Sequence, residues 1–153
     1  MTTLIAYRRV VDAVTTHSLK LPYAQDAQTG QELCTLDDGR TVVALFDGFT
    51  LPASQPAAIA ASIETLTLTD ALKEQIKAAS PQVRLIADNM QRKIREVVSI
   101  EDEMYFARIG IGALMGPAVY TLQPGEQAAL LAYGAFVESI RQWGRDERAK
   151  LGL

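Results

Sequence analysis

The sequence predicts an α+β protein, with an N-terminal β-rich unit containing a hairpin and a C-terminal bundle of three to four helices. Three observations carry this. Asp37-Asp38-Gly39 separates two runs rich in apolar and β-branched residues, and glycine after aspartate supplies the positive φ of a tight hairpin turn. After Thr69 the apolar period changes from that of a strand to that of a helix. Three helix starts then crowd the second half: Ser80-Pro81, Ser99 with Asp102 three residues later, and Pro124. Each puts a hydroxyl, carboxylate or proline where a helix leaves amide hydrogens unpaired. The boundary falls between residues 68 and 69, giving a β-rich unit with linker (1–68) and a helical unit (69–153).

Taken in order, Leu4 to Val14 holds β-formers, but the pairs Arg8-Arg9 and Val10-Val11 blur the alternation. A strand or a short helix is compatible, and a strand is the preferred reading. Pro22 to Gly30 is polar and flanked by breakers, the signature of a surface loop. The hairpin follows, from Glu32–Leu36 to Arg40–Phe46, and Asp47-Gly48 closes its second strand. Leu51 to Ala61 carries Pro52 and Pro56 and reads as an extended linker running into a helical turn from Ala57. Ile63 to Leu68 alternates strictly, as a half-buried or edge strand joining the hairpin does.

From Thr69 the elements are helical. Thr69 caps Asp70 to Ala79, with Leu72 and Ile76 on one face. Pro81 opens the next helix, whose expected buried stripe is Val83, Ile86, Ala87, Met90, Ile94 and Val97. Ser99 caps a third, with Glu101, Asp102 and Glu103 in its first turn, where negative charge suits the dipole. Gly110, Gly112, Gly116 and Pro117 are expected to end or loosen it. The last helix runs from Pro124 to about Lys150, with Ala129, Tyr133, Phe136, Val137, Ile140 and Trp143 as its stripe. Its charged distal end (Arg145 to Lys150) is expected to project into solvent or meet a partner.

Composition narrows the function classes. The 153 residues are 48% hydrophobic and 22% charged, the balance of an ordered globular protein. A net charge of −3 disfavours a general nucleic-acid binder, which needs surplus Lys and Arg. Cys34 is the only cysteine, so neither an internal disulfide nor a thiolate zinc cage is available, and a small buried hydrophobe is its simplest role. No secretory leader is apparent, and no apolar run approaches the ~20 residues of a membrane span. The expectation is a soluble protein made in a reducing cytoplasm.

Candidate chemistry is sparse. His17, the only histidine, would have to serve any Ser-His-Asp or Cys-His arrangement. It lies in a polar stretch with nothing tying it to Cys34, and reads as an exposed or loop histidine. Glu101, Asp102 and Glu103 are the densest carboxylate cluster, but adjacent helical residues point apart and dipole complementation explains them. Asp37-Asp38-Gly39 lacks the spaced ligands and closing glutamate of a calcium loop. Gly110, Gly112 and Gly116 follow a helix, the wrong context for a dinucleotide, and small residues so spaced let helices approach closely. Arg84, Arg92, Lys93 and Arg95, interleaved with Asp88 and Glu96, read as an exposed salt-bridged face. No catalytic, cofactor-binding or metal-ligating residue is assigned, and no cofactor.

Two stretches carry a resemblance. One is Asp38-Gly39-Arg40-Thr41-Val42-Val43-Ala44-Leu45, followed by the proline-bearing linker and Leu68 to Lys77. The other is Leu122-Gln123-Pro124-Gly125-Glu126 leading into Tyr133-Gly134-Ala135-Phe136-Val137-Glu138. Their order resembles small accessory proteins of tailed bacteriophages, of the tail-fibre assembly or baseplate and tail component type. The resemblance implies a non-enzymatic structural protein of the tail, made in the host cytoplasm and located in the virion. Its partners would be other tail proteins or a further copy of itself, with no nucleic acid, membrane or small-molecule substrate. Tyr133, Phe136 and Trp143 are the expected interface anchors, because aromatics bury large area at low entropy cost. A tail-fibre assembly chaperone absent from the finished particle is the first alternative, and an unfamiliar enzyme or ligand-binding domain the second.

Overall fold

The computed structural model describes all residues from Met1 to Leu153 and is an α+β protein. Its strands are β1 (Thr3–Arg8), β2 (Val10–Val11), β3 (Thr16–His17), β4 (Gly30–Thr35), β5 (Arg40–Leu45) and β6 (Glu64–Thr65). Its helices are α1 (Ala57–Ala60), α2 (Asp70–Ala79), α3 (Pro81–Arg95), α4 (Ile100–Leu114) and α5 (Pro124–Lys150). Two compact units emerge. A sheet unit comprises Met1–Leu85 with Glu147–Leu153, and a helical insertion comprises Ile86–Asp146. After residue 69 every element is helical, whereas the limits of the units fall inside α3 and α5.

In the sheet unit an antiparallel sheet runs β4-β5-β1-β6. Ile5 pairs with Val43 and Tyr7 with Thr41, so these four share one face, and Leu4 and Ala6 share the other with Ala44 and Val42. Leu4–Tyr7 and Thr41–Leu45 are buried throughout. Strands covered on both faces read as continuous apolar runs, as Leu4–Tyr7 does, and the pairs Arg8-Arg9 and Val10-Val11 mark the passage from β1 to β2. Tyr7 and Val43 pack with Ile59 of α1, joined by Val10, Leu19, Leu21 and Ile63. The Leu4 face meets the C-terminal turn, where Gly152 lies against Leu4 and the Thr2 hydroxyl donates to the Lys150 carbonyl at 2.8 Å. Helix α2 contacts β4 and buries Ile76 completely.

The hairpin is present as expected. Gly39 adopts φ 81°, and Arg40 closes the turn through its amide and guanidinium to the Asp38 carboxylate, at 2.9 and 2.7 Å. A register shift between Glu32 and Cys34 marks a bulge in β4, and Leu33 and Cys34 are both buried. The alternating run Ile63–Leu68 yields only a two-residue strand, β6. It pairs with β1 and not with the hairpin. With one neighbour and exposed side chains, an edge strand has little to extend it.

Along the helices the caps at Thr69 and Ser99 fall at the expected residues. Ser99 Oγ accepts from the Asp102 amide at 3.0 Å and donates to the Asp102 carboxylate at 2.8 Å. The α3 stripe is half-buried at Val83, Ile86, Met90 and Ile94, while Ala87 and Val97 are exposed. The helix ends at Arg95, and the turn that follows buries Val98 in place of Val97. Helix α4 runs through Gly110 and Gly112 without a break. A side chain at Gly112 would meet Tyr120 Cβ at 2.8 Å, so this glycine admits a close neighbour, and termination waits for Gly116 at φ 112°.

At the end of α5 the charged side chains of Arg145, Asp146 and Lys150 face solvent as expected. The backbone there is held down, the Lys150 carbonyl accepting from Thr2 and Leu151 being buried beyond it.

Candidate protein-contact surface

The polar groups singled out in the sequence lie apart and are engaged locally. His17 is in β3, not in a loop, and its Nε2 lies 2.7 Å from the Asp12 carboxylate across the β2–β3 ribbon. Cys34 is buried in β4, and burial, then the neighbouring Glu32 charge, pushes its thiol pKa up, which suits a hydrophobe and not a nucleophile. Glu101, Asp102 and Glu103 diverge. Asp102 serves the cap, while Glu103 pairs with Arg95 and accepts from the Tyr133 hydroxyl at 3.2 Å. The Arg95 hydrogen bond, with help from Tyr133, holds the Glu103 pKa below the usual range. Glu101 stays exposed at the start of α4.

The three aromatics of α5 are half-buried within the insertion. Tyr133 stacks on Phe106 of α4 with centroids 4.8 Å apart. Trp143 lies under the Lys93 ammonium of α3, 5.0 Å from its ring centre. Immediately after Trp143, Gly144 is buried against the Met90 side chain. Tyr133 and Trp143 thus already have neighbours inside the unit.

A second cluster was not anticipated. Glu126, near the start of α5, accepts from Tyr105 at 2.5 Å, from Tyr120 at 2.6 Å and from the Gln123 amide at 3.0 Å. The last bond is one half of a capping box, and the two phenols tie α4 and the following turn to the cap. Accepting them lowers the Glu126 pKa, and the same bond, burial and charge push Tyr120 up to about 12. Tyr105 and Tyr120 line a cavity of about 260 Å³ with Arg108, Ile109, Gly112 and Val119. Both hydroxyls are committed to Glu126, so the arrangement acts chemically as a clamp on the helix start.

The most distinctive surface is the outer face of α4. Phe106 and Ala113 are half-buried and Ile109 is 2% exposed, forming the packed face. The opposite face carries Ile100, Met104, Ile111 and Leu114, at 58%, 68%, 59% and 89% exposure, with Ala107 exposed among them. A helix apolar on both sides is normally covered on both, and a contiguous exposed apolar strip marks a contact surface. The signal was present in the sequence as spacings of four, three, four and three from Ile100, but the apolar residues on both faces conceal any single stripe. Comparison of the chain with protein-family models, with curated proteins and with solved structures finds no match.

Proposed function

We propose that the chain is a non-enzymatic contact protein, a structural component of a bacteriophage tail that binds other tail proteins. The observation that carries the contact role is the exposed apolar strip on α4, Ile100-Met104-Ala107-Ile111-Leu114. Water-exposed side chains of this size gain about 1.5–3 kcal/mol each on full burial, so a partner that covers them is strongly favoured. The accessible parts of Tyr133, Phe136 and Trp143 serve as secondary contacts in this reading. The assignment to a phage tail rests on the resemblance of the hairpin-to-α2 and α5 stretches to tail accessory proteins.

Mass spectrometry of purified phage particles tests it. The expected result is this chain at a fixed ratio to the tail proteins. Its absence from particles that need it for assembly would replace the structural role with that of an assembly chaperone.

A further inference from the structure

We infer that the outer face of α4 is covered by α4 of a second copy of this chain, the two helices lying antiparallel about a two-fold axis. The inference rests on the reading of this face as a contact surface, and names its occupant.

The spacing carries the first part of the argument. Ile100, Met104, Ala107, Ile111 and Leu114 recur along α4 at four and three residues. That is the heptad seam of a two-stranded coil. Set antiparallel, the strip is complementary to itself. Ile100 meets Ile111 of the second copy and Met104 meets Ala107, each pairing being made twice by symmetry, while Leu114 reaches the turn that precedes the partner's helix. The longest side chain of the seam then faces the smallest, as interdigitating layers require.

Charge carries the second part. Glu101 and Arg108 sit seven residues apart on the same flank of the strip, both exposed. In the antiparallel register Glu101 of each copy lies beside Arg108 of the other, giving two reciprocal pairs of opposite charge. Both groups are available. Glu101 has no ion pair within the chain, and Arg108 makes only the contact of its guanidinium with the Tyr105 ring at 5.7 Å. A parallel pairing would instead ask Glu103 to meet Arg108, and Glu103 is already held by Arg95 and Tyr133.

Light scattering on the eluting protein, with sedimentation equilibrium, tests the pairing in the full chain. The wild type is expected at twice the chain mass, and Ile111→Asp at the chain mass with its far-UV helix signal unchanged. Glu101→Arg and Arg108→Glu are each expected to weaken association about tenfold, and Glu101→Arg/Arg108→Glu together to restore it. A monomeric wild type overturns the pairing, as does a dimer indifferent to Glu101→Arg or not restored by the double exchange. A monomer that is nonetheless found in purified particles would overturn the self-pairing alone and leave the tail-contact role standing. A dimer absent from particles would do the reverse.

Discussion

The sheet unit and the helical insertion place their apolar residues in opposite ways. Every buried hydrophobic residue apart from Val98 and Ile109 belongs to the sheet unit. The insertion instead exposes Val97, Ile100, Met104, Ile111, Leu114, Met115, Val119 and Leu131. In the sheet unit the exposed large apolar side chains are few, such as Met1, Val14 and Tyr23, scattered as is normal on any surface. The difference teaches that caps and helical period are local properties. A segment can satisfy all of them and still leave its apolar surface half covered, because helical stability in proteins comes mainly from packing of the apolar face.

The sharpest way to break the comparison is at the sheet. Tyr7→Ala removes the largest fully buried side chain and is expected to cost about 3–5 kcal/mol, read from the urea midpoint of the far-UV signal. A cost near zero would mean that the Tyr7–Val43–Ile59 cluster is not the core. Next, two residues of one helix set the unlike faces of α4 against each other. Ile109→Ala is expected to lose about 2–5 kcal/mol. Ile111→Ala should stay within about 0.5 kcal/mol in solutions too dilute for association. Equal losses would erase the distinction between a packed and an outer face.

A smaller effect is expected from Lys93→Gln, which removes the cation over Trp143. The loss should be about 0.5–1 kcal/mol, with a change in fluorescence that is assignable because the chain has one tryptophan. Unaltered emission would detach Lys93 from that ring.

The last prediction moves a titration and leaves the fold in place. Tyr120 should ionise near pH 12, against about 10 for an ordinary tyrosine, followed by phenolate absorbance. Its raised value means that its contribution to stability is complete below the ordinary tyrosine range and is lost as pH rises through about 12. Glu126, with a lowered value, contributes fully above the ordinary glutamate range near 4.3. That contribution is lost as pH falls through its folded-state value, lower still. Glu126→Gln should return Tyr120 toward about 10. A phenolate that stays put would detach it from Glu126.

What was legible in the sequence was what neighbouring residues decide among themselves. Asp38-Gly39 fixed the hairpin turn, Thr69 and Ser99 fixed their caps, and Pro81 and Pro124 opened their helices where the structure has them. What was not legible depends on distant partners. The extent of β6 is limited by its single neighbour, β1. The exchange of Val98 for Val97 follows from where the turn after α3 faces. The end of α5 is captured by Thr2, a residue remote in sequence. Among large side chains the aromatics of α5 stand out in the sequence, and Tyr133 and Trp143 have neighbours within the insertion. The less conspicuous Ile100, Met104, Ile111 and Leu114 are the ones left in water.

The contact of Gly152 with Leu4 has a consequence for the order in which the molecule can be made. Residues Glu147–Leu153 belong to the sheet unit, yet the whole helical insertion is synthesised before them. Strand β1 can pair with β5 and β6 early, but its Leu4 face is covered only after the whole insertion has been made. Closing so long a loop adds little free energy beyond a shorter one, but pairing over such a separation is slow. The Leu4 face of β1 thus stays open until Leu151 and Gly152, made after the insertion, close over it.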